Sequence, residues 1–127
     1  MSTLPDPNLR VLVVDDNTDA ADLLVLLLSS MNIAARAAYG GHEAIAVAEE
    51  MAPNVVFLDL DMPAMSGYEV AQALRKRATL ATTTIIALTG RGDPATRHKV
   101  MSSGFNDHLT KPAGIEQICE VLTSAFA

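Results

Sequence analysis

The chain has 127 residues, of which 50% are apolar and 19% charged, so it fits one globular domain and not a disordered chain. Its net charge of −6 disfavours direct binding to nucleic acid, and the basic cluster at 75–77 is better placed to complement a helix C-terminus. The longest apolar run, Leu23–Leu28, is far shorter than the roughly 20 residues that cross a bilayer. We therefore expect neither nucleic-acid nor membrane contact.

The termini and the cysteine content indicate an ordinary intracellular domain. Residues 1–8 lack a basic region followed by an apolar stretch, so we expect a flexible lead-in without a secretory signal, followed by one domain over residues 9–127. The single cysteine, Cys119, cannot form an internal disulfide, and its apolar neighbours indicate a core helix position. The expected location is the cytoplasm.

Strands and helices alternate along the predicted chain. Apolar runs without polar alternation predict buried strands, whereas apolar residues at helical spacing predict helices. In chain order, strands are expected at about 10–14, 33–39, 55–58, 84–88 and 105–109, and helices at about 17–31, 42–51, 67–77, 93–103 and 115–126. Residues 78–83 form a polar connection, and Gly104 is the expected C-cap of the fourth helix. This alternation predicts an α/β fold with a parallel sheet and helices on both faces.

The first and last helices carry distinctive apolar patterns. The run Leu23–Leu28 covers every face of its helix, so one or two of Val25, Leu26 and their neighbours should remain exposed. In the last helix one face is expected to pack against the sheet while Glu116 and Glu120 stay exposed. The residues expected on that packed face are Ile115, Ile118, Cys119, Leu122 and Phe126.

Polar side chains follow the predicted strands at their carboxyl ends. Asp15 and Asp16 follow the first strand, Asp59 follows the third, Thr89 the fourth and Lys111 the fifth. A carboxylate directly after a buried strand is costly unless the chain has reached a polar cleft. In open parallel sheets that edge is where ligands bind, so these residues are candidates for a functional site.

This ordered set resembles the receiver domains of two-component response regulators, which carry an acidic pair, an Asp, a Ser or Thr, and Lys-Pro at these strand ends. The resemblance covers about residues 9–126 and implies a single-domain, doubly wound (βα)5 sheet with the flavodoxin-like strand order 2-1-3-4-5. The stretches DDNTDAAD and GFNDHLTKP are most similar to receivers of hybrid sensor histidine kinases or to free-standing receivers.

In that strand order the carboxylates of Asp15, Asp16 and Asp59 converge, and they can all be ionised only if a cation lies among them. Oxygen ligands without nearby His or Cys favour Mg²⁺. The resemblance implies that Asp59 accepts a phosphoryl group, that Asp16 and Asp59 bind the metal directly, that Asp15 acts largely through water, and that Asp61 contributes its backbone carbonyl.

The resemblance also assigns roles around the phosphoryl group. Lys111 would neutralise its oxygens and commonly precedes a cis peptide bond to proline, while the hydroxyl of Thr89 acts as a latch. His108 stands where the family usually has Tyr or Phe, so the conformational switch is expected to differ. At the rim, Asp61 and Arg91 either pair across two loops, or Arg91 lies toward the phosphoryl oxygens, or the two are unrelated solvated charges. Either of the first two arrangements would slow hydrolysis.

The implied partners are a histidine kinase or a histidine phosphotransfer protein, which receivers meet with their first helix, and a downstream protein on the surface of the fourth helix, fifth strand and fifth helix. Such a domain assists its own phosphorylation and dephosphorylation but is not otherwise an enzyme. Three alternatives remain: a haloacid dehalogenase-like phosphatase, a receiver-fold adaptor that is not phosphorylated, and a flavodoxin-type electron carrier.

Overall fold

The computed structural model describes residues 8–90 and 92–125, and of residue 125 it describes only the backbone. Five strands and five helices alternate, in agreement with the predicted order. The strands are β1 (Arg10–Val14), β2 (Ala34–Ala38), β3 (Val55–Asp59), β4 (Thr84–Thr89) and β5 (Asp107–Thr110). The helices are α1 (Thr18–Ser30), α2 (Gly41–Met51), α3 (Gly67–Arg75), α4 (Pro94–Met101) and α5 (Ile115–Ala125).

The strands form one parallel sheet in the order β2-β1-β3-β4-β5, which confirms the flavodoxin-like topology. Chain order reverses between β1 and β3, so the crevice at their carboxyl ends is the expected ligand site of a doubly wound sheet. The register pairs Val14 with Leu58 and therefore sets the residues that follow β1 beside the end of β3.

Apolar side chains on both faces of the central strands explain the runs without polar alternation. On β1, Leu12 and Val14 belong to the core beneath α2, α3 and α4, whereas Val11 and Val13 belong to the core beneath α1 and α5. All five residues of β3 are buried, whereas β2, at the sheet edge, alternates between exposed and half-buried positions and ends at the buried Ala38. Burial on two faces fixes the register of the strands that carry the site.

Several predicted boundaries are wrong by one to a few residues, and local hydrogen bonds explain the larger differences. Helix α4 ends at Met101 because Ser102 and Ser103 turn their hydroxyls back onto the carbonyls of His98 and Lys99. Gly104, the predicted C-cap, instead occupies a later turn at φ 92°. Strand β5 starts at Asp107 because the side chain of Asn106 accepts a hydrogen bond from the Ile85 N–H. Phe105, which was predicted to lie in this strand, packs in the core before the strand begins.

Further differences concern helix ends and the face of α5. Helix α3 ends at Arg75, and the predicted polar connection contains a 3-10 turn at Ala78–Leu80. Ile115 is 39% exposed, so its predicted packing is wrong, and Cys119 is half-buried against Met31. Phe126 and most of the predicted lead-in lie outside the described residues.

Arg75 and Arg77 of the basic cluster at the end of α3 have structural roles, through contacts to other segments that the prediction of a helix C-terminal role did not include. The guanidinium of Arg75 donates to the carbonyls of Gly104, Ala81 and Thr83 and to the side chain of Asn106. Arg77 forms an ion pair with Glu49. These bonds tie the amino-terminal edge of the sheet together and commit Arg75 and Arg77 to intramolecular contacts. The described helices are also too short or too polar to cross a bilayer.

Candidate phosphoacceptor site

Three carboxylates meet at the carboxyl ends of β1 and β3. Asp15 and Asp59 are buried, with 2% and 4% of their surfaces exposed, whereas Asp16 is exposed at the mouth of the crevice. One ligand oxygen from each lies within 4.8 Å of the others, which is the convergence that the sequence predicts. All three donors are hard oxygen ligands, so the group fits a small hard cation such as Mg²⁺.

Lys111 supplies the positive charge of the site from the end of β5. Its Nζ lies 2.8 Å from Asp15 Oδ2 and 3.3 Å from Asp59 Oδ1, so one ammonium bridges both buried carboxylates. The backbone N–H of Lys111 donates to the Thr89 carbonyl at 2.7 Å, which holds its main chain against the end of β4. The peptide bond between Lys111 and Pro112 is cis, as the resemblance implies.

The buried charges raise the proton affinity of Asp59. Burial and the neighbouring charge of Asp15 raise its pKa from 3.8 to about 7, against the opposing effects of Lys111 and of the Asp61 N–H, which donates to Asp59 Oδ1 at 3.2 Å. Burial alone would lower the pKa of Lys111, but Asp15 and Asp59 outweigh it and raise the pKa, so the lysine stays charged. The site therefore has more negative charge than one ammonium offsets, which favours a second cation.

The structure describes three of the four other predicted site residues. Thr89 ends β4 beside Asp59 and is 1% exposed, and its latch role stays a prediction. The carboxylate of Asp61 is exposed and is not part of the acidic group, and the role of its backbone carbonyl stays a prediction. His108 is half-buried on β5, opposite Ala87. Arg91 lies outside the described residues, so its pairing with Asp61 remains a prediction.

Sequence reasoning missed two supporting contacts. The backbone N–H of Asn17 donates to Asp15 Oδ1 at 3.0 Å, so the N-cap residue of α1 also orients a buried carboxylate. Tyr68 on α3 lies beneath the ammonium of Lys99 on α4, with Nζ 4.3 Å from the ring centroid. The first contact is a common Asx turn that the pair Asp15-Asn17 could have suggested, whereas nothing in the sequence signals the second.

An apolar surface adjoins the site on the side of α1. Leu23 and Leu26 are 57% and 65% exposed, which confirms the expectation of exposed residues in this helix, while Val25 is half-buried. A pocket of about 200 Å³ opens between α1 and the start of α5, and its wall includes Leu23, Asp15, Lys111 and Pro112. An exposed apolar surface therefore continues into the charged site.

Comparison with known proteins decides the family. The family model of the response regulator receiver domain matches residues 11–123. The chain belongs to the response regulator receiver domains. The receiver is 36% identical to an uncharacterised 14.6 kDa protein of Leptolyngbya boryana, over 80% of this chain and 78% of the relative. It spans less than half the length of several other curated relatives that it matches.

Solved structures place the receiver among the same proteins. The chemotaxis protein CheY4 of Vibrio cholerae superposes with a TM-score of 0.87 at 27% identity, over 92% of this chain and 98% of CheY4. The receiver domain of the Saccharomyces cerevisiae response regulator Ssk1, crystallised with the histidine phosphotransfer protein Ypd1, gives a TM-score of 0.86 at 30% identity, over 96% and 90% of the two chains. The receiver is thus a domain of two-component signalling, and no finding favours the phosphatase, flavin or adaptor alternatives.

Proposed function

We propose that Asp59 is the phosphoacceptor of this receiver and takes its phosphoryl group from a phosphohistidine. The observation that carries the proposal is the position of Asp59, a buried carboxylate that lies 3.3 Å from the Lys111 ammonium at the topological switch of the sheet. A carboxylate oxygen of Asp59 attacks phosphorus in line, the new O–P bond forms as the P–N bond breaks, and the imidazole leaves.

The surrounding residues supply binding and charge for this transfer. Lys111 neutralises a phosphoryl oxygen while it remains paired with Asp15, and the hydroxyl of Thr89 donates a hydrogen bond to another phosphoryl oxygen. Asp16 and Asp59 would hold Mg²⁺ directly, with Asp15 acting through water and Asp61 through its backbone carbonyl. The metal would offset negative charge on the acceptor and the phosphoryl oxygens. The same groups permit slow hydrolysis, so the domain assists its own chemistry without acting on a separate substrate.

The partner that donates the phosphoryl group is a histidine kinase or a histidine phosphotransfer protein that docks on α1. Leu23 and Leu26 offer exposed apolar contact beside the crevice, and the adjoining pocket leads toward Lys111. The receiver of Ssk1, which has the same fold, was crystallised with such a phosphotransfer protein. We place this exchange in the cytoplasm, with a downstream protein bound through α4, β5 and α5 and without direct contact to DNA or membrane.

Intact mass measurement after incubation with acetyl phosphate and Mg²⁺ tests the phosphoacceptor assignment. The wild-type receiver should gain the mass of one phosphoryl group, and Asp59→Asn should gain none. Asp61→Asn, which changes an exposed carboxylate on the same loop, serves as the matched control and should still be labelled. Labelling of Asp59→Asn at the wild-type level would show that another residue is the acceptor.

A further inference from the structure

Tyr68 lies where the phosphoacceptor site meets α4. Its half-buried ring lines a cavity of about 340 Å³ together with Thr89, Asp61 and Lys99. The ring and that of Phe105 form a T-shaped pair, with the centroids 5.9 Å apart and the planes at 84°. The Tyr68 ring therefore contacts Phe105, which precedes β5, and Lys99 of α4. It also lines the same cavity as Thr89, which ends β4.

The backbone of Tyr68 is fixed relative to Asp59. Its neighbour Gly67 packs so closely on β3 that an added Cβ would lie 2.3 Å from the Asp59 carbonyl oxygen. The Gly67 N–H donates to the Leu60 carbonyl at 3.0 Å, and a capping box between Ser66 and Glu69 closes the first turn of α3. The backbone that carries the ring is thus anchored to the end of β3 beside the site.

Helix α4 is held to the body by few contacts. Within this helix, all of which the structure describes, Val100 is the only buried residue. Lys99 is exposed and places its ammonium over the Tyr68 ring, a contact that is weak at an exposed site. Such an element belongs to the low-stability part of a fold and can shift when a nearby charge changes.

His108 does not occupy this position. It lies on β5 opposite Ala87 and is absent from the described residues that line the cavity with Thr89. The aromatic ring that faces Thr89 comes from α3 instead.

We propose that the contact between Tyr68 and Lys99 couples phosphorylation at Asp59 to the position of α4. The inference rests on the proposed function of Asp59. A phosphoryl group adds a charge of about −1.5 to −2 beside the cavity, and the exposed Lys99 ammonium leaves the neutral ring for that charge. Because Tyr68 stays with α3, the exchange moves α4 relative to the rest of the domain.

Beryllofluoride with Mg²⁺, a mimic of the phosphoryl group, provides the test. Fluorine NMR reports whether the mimic binds, and amide hydrogen exchange of Pro94–Met101 reports the response of α4. The key variant is Lys99→Met, with Arg97→Met as the matched control because Arg97 is an exposed cation of the same helix. Tyr68→Phe keeps the aromatic face, whereas Tyr68→Leu removes it.

The response is the change in amide hydrogen exchange of α4 when beryllofluoride binds. We expect this change to be the same in wild type, Arg97→Met and Tyr68→Phe. In Lys99→Met and Tyr68→Leu it should be smaller by about twofold or more, although both variants still bind the mimic. Equal responses in Lys99→Met and Arg97→Met would overturn the coupling and leave the phosphoacceptor assignment intact. Loss of the response in His108→Ala, with retention in Lys99→Met, would assign the coupling to β5 instead. Failure of wild type to bind the mimic would overturn both proposals.

Discussion

Replacement of Asp59 by Asn should stabilise the receiver at neutral and higher pH when divalent ions are absent. Burial and Asp15 raise the pKa of Asp59 from 3.8 to about 7. Between these values the native state binds more protons than the unfolded state, so the free energy of unfolding falls as pH rises toward 7. Above pH 7 Asp59 is ionised in both states, and the full cost of its buried charge is present.

The size of this cost follows from the pKa difference. A rise of roughly three units corresponds to about 4 kcal/mol at about 1.36 kcal/mol per unit, and relaxation of the site reduces the expected gain in Asp59→Asn to about 2 to 4 kcal/mol at pH 8. At pH 4 and below, protonated Asp59 and Asn are both neutral, so the two proteins should converge in stability. At pH 8, Mg²⁺ should reduce the difference in the free energy of unfolding between Asp59→Asn and wild type, because the ion stabilises only the site that retains the carboxylate.

Urea unfolding in EDTA at several pH values between 4 and 8 measures these differences directly. Asp61→Asn is the control, because removal of an exposed carboxylate should change stability by less than about 0.5 kcal/mol. If Asp59→Asn is no more stable than wild type at pH 8, or if both proteins show the same pH dependence, the electrostatic account of the site is wrong.

Three further substitutions test other parts of the account. Asp16→Asn should abolish the Mg²⁺-dependent rise in melting temperature, and an unchanged rise would remove Asp16 from the ligand set. Gly67→Ala should destabilise the fold by about 1 to 3 kcal/mol because its Cβ would meet the Asp59 carbonyl. Gly90 has open space around it, so Gly90→Ala should change the free energy of unfolding little, and equal effects of the two substitutions would refute the packing argument. His108→Tyr should enlarge the response of α4, β5 and α5 to beryllofluoride in chemical-shift maps, and a wild-type response that is already as large would count against it.

The sequence predicts the strands and the polar residues at their ends well because both depend on local patterns. Uninterrupted apolar runs mark strands that are buried on two faces, and the residues that follow them must emerge at one sheet edge. The strand order that brings Asp15, Asp59 and Lys111 together was implied by the resemblance to receiver domains and does not follow from the local patterns. The close ion pair between Lys111 and Asp15 shows how directly strand order converts into side-chain geometry.

Contacts between helices were not predictable in the same way. The ring of Tyr68 meets Lys99 only because α3 and α4 pack on the same face of the sheet, and no spacing in the sequence encodes that approach. The end of α4 depends on the serine hydroxyls of Ser102 and Ser103, which compete with the glycine signal at Gly104. The exposure of Ile115 likewise depends on where α5 begins relative to the sheet.

Direct location of the phosphoryl group on the wild-type chain is the most decisive measurement. After incubation with acetyl phosphate and Mg²⁺, borohydride reduces an aspartyl phosphate to homoserine and releases phosphate, and peptide mass spectrometry then identifies the reduced residue. Homoserine at position 59, dependent on Mg²⁺ and on acetyl phosphate, is the predicted result. Homoserine at position 15, 16 or 61 instead, or no reduced residue in a protein that has gained phosphoryl mass, would contradict the assignment of Asp59 as the phosphoacceptor.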